Sequence, residues 1–395
     1  MRQSRFLDHS IHLSDLVSAI PLFDVKRFTS RPVAEGGQRA EKWLKGQMHS
    51  IVKLKPEPGA VYQEWKIPSI GLNDVLVRVE ATSICGTDMQ IYDWHEWVRD
   101  RVKPPFVMGH EFAGRVLEAG KEVAELREGD LVSGETHIFC GRCFQCRTGN
   151  AHICENMRLR GVDTDGCFAQ YHALHEASAW KNDSKLSVEV ASAQEPLGNA
   201  VHAASVTDIS AKRVAVFGCG PIGACLIGLC KSFGSTRIFG VDVVDYRLSL
   251  AKEMGADELL NASNDDVSSE IMRQTDGRGA DIFFEMSGAP AAFEQGFKAL
   301  RPGGTAVLFG LPSKRVEIDV ANWIVFKDAH VRGVFGRRIY STWYKTAEVL
   351  RAGMVDMSKV ITHRFDMEEF SKAFALMRSG RCGKVIMYPN GRKKR

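Results

Sequence analysis

The chain reads as an α/β protein in which a parallel sheet is joined to a separate β-rich region, and three observations carry that reading. Its 395 residues exceed what one hydrophobic core usually supports, so two domains are expected. From residue 211 onward, short apolar strands alternate with helical patterns, the order of βαβ units around a parallel sheet. Before that, short alternating Val-rich segments are cut by Gly, Pro and Asp, the punctuation of strands and turns.

The elements follow in order. Residues 1–47 are compositionally loose, and Met48 opens a cleaner pattern, "MHSIVKLKPEPGAVYQEWKIP". The first 47 residues are therefore either a real leader or arm, or the product of a start codon placed too early. The β region runs from "DVLVRVEATSICG" to "CFAQYHAL". In the second region "RVAVFGCG" reads as a buried strand, "PIGACLIGLCKSFG" as a helix, "TRIFGVDV" as a strand and "DYRLSLAKEMGA" as a helix. "GADIFFEMSG", "AAFEQGFKALRPGG" and "TAVLFGLP" continue the alternation. After residue 340, "TWYKTAEVLRAG" and "MEEFSKAFALMRSG" are helical patterns, and "GKVIMYP" is a closing strand. These divisions give an extension at 1–47, a catalytic region at 48–194, a dinucleotide-binding region at 195–339, a return segment at 340–388 and a basic tail at 389–395.

Composition narrows the function classes. A net charge of +4, with both signs mixed through the chain, demands neither nucleic acid nor a membrane. "GRKKR" reads as a solvated tail. The longest apolar stretch, "VAVFGCGPIGACLIGLC", is broken by Gly and Pro and is too short to span a bilayer comfortably. The start carries acids and histidines where a secretory signal would be apolar, and six of the ten cysteines are scattered singly. A reducing, cytoplasmic compartment is expected.

"VAVFGCGPIG" contains Gly218, Gly220 and Gly223 in G-x-G-x-x-G spacing, after a strand and at the opening of a helix. That context gives the glycines their mechanism: a tight turn, close backbone approach, and a pyrophosphate at a helix N-terminus. Asp242 ends the next strand, where a carboxylate accepts ribose hydroxyls and repels a 2′-phosphate, favouring NAD over NADP. Arg247 complicates the choice, since it can stack on adenine or meet that phosphate.

Two metal sites are expected, with different logic. "CGRCFQCRTGNAHIC" supplies Cys140, Cys143, Cys146 and Cys154, four thiolates from short loops that suit a closed, structural zinc in a lobe at about 137–156. An iron–sulfur cluster and a disulfide pair stay open as alternatives. "ICGTD" and "GHEFAG" supply Cys85, His110 and Glu111, the mixed ligand set of a zinc with an exchangeable fourth position. Such an ion acts as a Lewis acid on a substrate hydroxyl, whose carbon gives hydride to nicotinamide. Thr87 is placed to take the hydroxyl proton, and Glu195 in "QEPLGNAVH" is a fourth ligand or a carboxylate that exchanges with water.

With these motifs together, residues 48–388 resemble the zinc-dependent medium-chain dehydrogenases. "CGTD", "IYDWHEW", "GHEFAG", the four-cysteine lobe, "EPLGNAVH", "GPIG", "EMSGAP", "GRRIYSTWYK" and "ITHRF" stand in that family's order. The resemblance implies a GroES-like catalytic domain built from both ends of the chain, a Rossmann NAD-binding domain between them, and a homotetramer. It implies catalytic zinc on Cys85, His110 and Glu111, with Glu195 assisting, Thr87 in the proton path and His137 of "GETHIFCG" helping to select the substrate. Cofactor contacts carry over to Ile222, Asp242, Arg247, Phe309, Gly310, Leu311, Val334 and Phe335. Within the family the motifs are most similar to members that oxidise the 3-hydroxyl of L-threonine to L-2-amino-3-oxobutanoate.

One departure matters. The family commonly reads C-G-T-D-x-H at the first ligand, with that histidine completing the proton relay, whereas this chain has Gln90. Glutamine hydrogen-bonds but cannot take up a proton at neutral pH. Water or another histidine must then serve, with His95 nearest in sequence, or the substrate is instead a vicinal diol such as 2,3-butanediol. A zinc- and NAD-binding protein without turnover is the reading from another class.

Overall fold

A computed structural model describes residues 46–392. The expectations for residues 1–45 and for the last three residues of the basic tail lie outside the described residues.

The β region is organised around the strand Asp74–Ser83. It pairs antiparallel with Glu111–Ala119, with Tyr171–His175 and with the closing strand Lys384–Tyr388. Leu131–Gly134 and Ala179–Lys181 extend the sheet on one side, and Ile361–Asp366 pairs parallel to the closing strand on the other. Both faces of the central strand are covered. Val75, Val77 and Val79 enter one core, while Leu76 packs with Met48, Val52 and Ile67 on the other face. The strand accordingly carries the apolar run Val75–Leu76–Val77, after which Val79 and Ala81 alternate with Arg78, Glu80 and Thr82. The C-terminal segment thus completes a sheet that begins near the N-terminal end of the described chain.

The second sheet has six parallel strands in the spatial order Glu258–Asn261, Arg237–Asp242, Arg213–Phe217, Ala280–Glu285, Leu300–Leu308 and His330–Gly333. The period-2 rule is visible in Arg213–Phe217, where Val214 and Val216 face one core and Ala215 and Phe217 the other. Strand order reverses beside this first strand, so the crevice at its C-terminal end is the topological switch point. The helix Pro221–Ser232 follows at once, with Pro in its first turn and a backbone buried from Gly223 to Cys230. It is apolar on nearly every side because it lies between the sheet and the helix Gln194–Ala204. One core cluster contains Ala81 and Ile386 from the first sheet with Val214 and Ile282 from the second, so the two sheets share buried apolar contact.

Several elements were not legible beforehand. The strand Leu300–Leu308 begins inside "ALRPGG", where a helix end and turn are expected, because Leu300 pairs with Ala280 in the neighbouring strand. Glu258–Asn261, His330–Gly333 and Ile361–Asp366 are strands on the outer margins of their sheets, short and polar enough to lack a clear period.

Candidate metal centres and dinucleotide crevice

The first centre follows from strand register. Ser83 pairs with Glu111 across two antiparallel strands, so Cys85, two residues past the end of one strand, falls beside His110 and Glu111 at the start of its partner. Gly109 makes the approach feasible: it has φ +91°, and a Cβ there would lie 2.1 Å from the Phe168 ring. The Cys85, His110 and Glu111 ligand atoms lie within 4.8 Å of one another. Asp88 stands behind the imidazole, with Oδ1 3.5 Å from His110 Nδ1, while its other oxygen accepts the Cys85 backbone N–H at 2.9 Å. That carboxylate–histidine arrangement orients metal-bound imidazoles generally. Burial alone would lower the His110 pKa, but Asp88 and Cys85 outweigh it and raise it well above the ordinary imidazole value. The surroundings therefore favour positive charge, and the mixed sulfur, nitrogen and oxygen donors fit zinc.

Glu111 is fully buried and its carboxylate is already engaged. Lys384 Nζ, from the closing strand, donates to it at 2.7 and 2.5 Å, and Ser83 Oγ donates as well. Burial works against the Lys384 ammonium, but Glu111 and Cys85 raise its pKa above the usual lysine value. Any metal at this centre shares Glu111 with a fixed cation.

The second centre is the four-cysteine lobe. The sulfurs of Cys140, Cys143, Cys146 and Cys154 lie within 4.8 Å of one another, and none is in a disulfide. Cys143 and Cys154 sulfurs stand 3.8 Å apart. A tetrahedral ion with zinc–sulfur bonds of about 2.3 Å needs about that separation. Backbone N–H groups of Cys140 and Asn156 both point at Cys154 Sγ from 3.3 Å. N–H groups of Arg142 and Cys143 bring the Cys140 thiol down to about 6, towards the thiolate a metal requires.

Glu195 lies in the first turn of Gln194–Ala204 and is buried. Its carboxylate accepts from Thr136 Oγ1 at 2.9 Å and pairs with Arg337 Nη1 at 2.5 Å. Arg337 also donates to Glu135, which bonds His137 in turn, so Glu195 and His137 are joined through two residues that motif reading passed over. Glu135 and Arg337 sit inside the quoted "GETH" and "GRRIY". Nothing local marks them as buried, because a buried charge is legible only once its partner is placed. Lys384 was missed for the same reason.

The relay residues are less connected. Thr87 sits half-buried in the first turn of the helix Gly86–Tyr92, and its hydroxyl has no hydrogen bond among the described residues. Gln90 Oε1 is taken by Trp97 Nε1 at 2.7 Å. His95 stands exposed at the start of the helix Glu96–Arg101, which gives no support to a relay role.

In the crevice the three glycines divide their tasks. Gly218 has φ +99° and packs on Ser287, and a Cβ on Gly223 would lie 1.9 Å from the Gly218 carbonyl oxygen. A Cβ on Gly220 would meet nothing within 4 Å, so open space lies where a diphosphate approaches the helix start. Asp242 accepts backbone N–H groups from Cys219 at 2.8 Å, Val243 at 2.8 Å and Val244 at 3.0 Å, which leaves about one of its four lone-pair positions for a ribose hydroxyl. Arg247 Nη1 is 3.8 Å from it. Ile222 is half-buried at the helix start. Phe309 and Gly310 both donate N–H to the Glu285 carbonyl, and Leu311 beyond them is 79% exposed. Val334 is buried, while Phe335 is exposed with its ring edge-on to His137 at 5.2 Å.

The chain matches the alcohol dehydrogenase GroES-like domain over residues 71–184 and the zinc-binding dehydrogenase family over residues 221–352. It is 48% identical over 347 residues to a protein named L-threonine 3-dehydrogenase from Caldanaerobacter subterraneus subsp. tengcongensis, covering 88% of this chain and 100% of the relative. A Pyrococcus abyssi protein of the same name is 45% identical, covering 86% of this chain and 98% of the relative. Among solved structures, 2R,3R-butanediol dehydrogenase from Bacillus subtilis superposes with a TM-score of 0.78 at 28% identity, covering 87% of this chain and 100% of that one. An Escherichia coli alcohol dehydrogenase complexed with NADH gives 0.80 at 26% identity, covering 87% and 99%. With identity at that level across whole relatives, and with the fold and donor sets described above, this chain belongs to the zinc-binding alcohol dehydrogenase family.

Proposed function

We propose that this chain oxidises the 3-hydroxyl of L-threonine to L-2-amino-3-oxobutanoate while NAD⁺ is reduced to NADH. The observation that carries this reading is the agreement between full-length relatives of that name, at 43–48% identity, and a buried Cys85–His110–Glu111 centre in the same chain as a Gly218–Gly223 crevice. Zinc bound at the centre supplies Lewis acidity to the hydroxyl, and bound NAD⁺ accepts the electron pair and hydrogen of the C3–H bond.

The chain's own residues do the rest. Cys85, His110 and Glu111 hold the catalytic ion, with Asp88 orienting the imidazole and Lys384 steadying Glu111. Glu195 stands by as an exchanging carboxylate. Thr87 takes the hydroxyl proton outward, and water receives it, since Gln90 cannot carry a proton and is turned to Trp97. His137, with Arg337 behind it, selects the amino acid. Cys140, Cys143, Cys146 and Cys154 hold a second, structural zinc, which fixes the lobe. Gly218, Gly220 and Gly223 receive the pyrophosphate, Asp242 a ribose hydroxyl and Arg247 the adenine edge. Ile222, Phe309, Gly310, Leu311, Val334 and Phe335 line the remaining length of NAD.

We place the protein in the cytoplasm as a homotetramer. In support, no helix among the described residues is long and apolar enough to cross a membrane, and the cysteines are unpaired. The edge strand His330–Gly333 is exposed throughout, with Val325 and Phe326 bare nearby, a face that a second copy would cover.

Gln90 in place of a relay histidine favours a second reading, a diol substrate. Following NADH absorbance with L-threonine, L-allo-threonine, serine and 2,3-butanediol decides between them. The highest kcat/KM is expected with L-threonine. Preference for the diol would overturn the reading.

A further inference from the structure

Glu135 carries no assigned role, yet it is the most heavily hydrogen-bonded carboxylate near the candidate site. It is fully buried and faces donors only. His137 gives it a backbone N–H at 2.9 Å and Nδ1 at 2.6 Å. Arg337 gives Nη2 at 2.5 Å and Nε at 3.1 Å, and Trp343 gives its indole N–H at 2.6 Å. Burial would raise its pKa, but Arg337 and His137 outweigh burial and hold it below the ordinary carboxylate range.

An ionised carboxylate only accepts, so the 2.6 Å contact requires the proton of a neutral His137 on Nδ1. Arg337 Nη2, 3.2 Å from Nδ1, shares the Glu135 oxygen with that N–H. The lone pair is then left on Nε2, which has no hydrogen-bond partner among the described residues. The ring is closely approached from two sides. Phe335 meets it edge-on, and Gly336 lies so close that a Cβ there would be 2.4 Å from Cε1. The same carboxylate fixes Arg337, whose Nη1 reaches Glu195 and Asn199 Oδ1 at 2.9 Å. A continuous buried chain of contacts therefore runs from Glu195 through Arg337 and Glu135 to His137.

We propose that Glu135 is the positioning residue of the substrate side: it fixes the His137 tautomer so that Nε2 accepts a hydrogen bond from the substrate's ammonium group. This deepens the threonine reading and rests on it for the choice of substrate, though not for the tautomer. Glu135→Gln is the direct perturbation. A carboxamide brings an NH₂ to a pocket lined by donors, and its relief is to donate to Nδ1 and drive the proton to Nε2.

The zinc- and NAD-loaded enzyme should then show a KM for L-threonine raised by about 10- to 100-fold, the loss expected for one hydrogen bond to a charged group, with NADH affinity unchanged. The second readout needs no turnover. Diethyl pyrocarbonate attacks an unprotonated imidazole nitrogen, so peptide mass mapping should find His137 carbethoxylated in the wild type and protected in Glu135→Gln. Glu135→Asp, which keeps the carboxylate, should retain labelling and restore part of the KM, and it decides the matter if the glutamine variant fails to fold. Wild-type labelling and KM in Glu135→Gln, or lost labelling in Glu135→Asp, would overturn the proposal. If labelling follows Glu135 while L-threonine is not oxidised by the wild type, the substrate reading falls and the tautomer assignment stands.

Discussion

The glycines of the crevice make opposite demands, and adding one methyl group to each in turn separates them. At Gly223 a Cβ would sit 1.9 Å from the Gly218 carbonyl oxygen, whereas real Cβ contacts do not come under 3.0 Å. The helix Pro221–Ser232 and the turn before it would have to part by about 1 Å, in an interior packed as densely as an organic crystal. Overpacking of this kind costs about 1–3 kcal/mol, and the upper end applies because the neighbour is backbone. At Gly220 the backbone is ordinary, φ −60° and ψ −178°, and the added carbon meets nothing within 4 Å. The cost to the fold is then the poorer helix cap, below about 1 kcal/mol. The space it fills is where the diphosphate approaches. Gly220→Ala should therefore melt close to the wild type yet bind NADH at least about tenfold more weakly, or about 1.4 kcal/mol. Gly223→Ala should lose both stability and binding. Thermal melts paired with NADH fluorescence titrations measure both. Wild-type NADH affinity in Gly220→Ala would refute the placement of the diphosphate, and a wild-type melt for Gly223→Ala would refute the packing argument.

Three further outcomes are expected. Cys85→Ser should abolish turnover with little change in melting temperature, while Cys143→Ser should lower melting temperature because the lobe loses its metal. Identical behaviour of the two would remove the distinction between catalytic and structural centres. Gly336→Ala, at φ +53° and with a Cβ 2.4 Å from His137 Cε1, should cost about 1–2 kcal/mol in backbone strain and raise the KM for L-threonine. An unchanged KM would show that the His137 ring is not held by that approach. Burial, with Arg160 beside it, lowers the His172 pKa well below the ordinary value, so the imidazole stays neutral and accepts from Arg160 Nη1 at 2.7 Å. The unfolded chain takes up that proton near pH 6.5, so it binds more protons than the folded state below that pH, and stability is lost as pH falls through about 6.5. His172→Gln, which keeps an acceptor but cannot titrate, should flatten this acid limb in melts across that window; an unchanged limb would assign it to other groups.

Much of the chemistry was legible along the chain because it depends on local spacing. Four cysteines within fifteen residues must lie near one another whatever the fold, and three glycines between a strand and a helix need only their own turn. Cys85, His110 and Glu111 were harder, since they meet only through the pairing of two strands, and family order supplied what spacing could not. The relay illustrates the limit. Gln90 is visible as a departure in the sequence, but its engagement by Trp97, and the exposure of His95, follow from how the helices beside it pack.

By itself the sequence marked the candidate metal donors, the candidate dinucleotide turn and the alternation of strand and helix, because hydrogen-bond reach and side-chain period act over a few residues. Tertiary structure alone decided which charges are buried together: Lys384 against Glu111, and Arg337 between Glu135 and Glu195. These partners are separated by 142 to 273 residues. An ionised group in a dry interior is tolerable only when its counter-charge is already there, and no pattern along the chain records which distant residue the fold will bring to it.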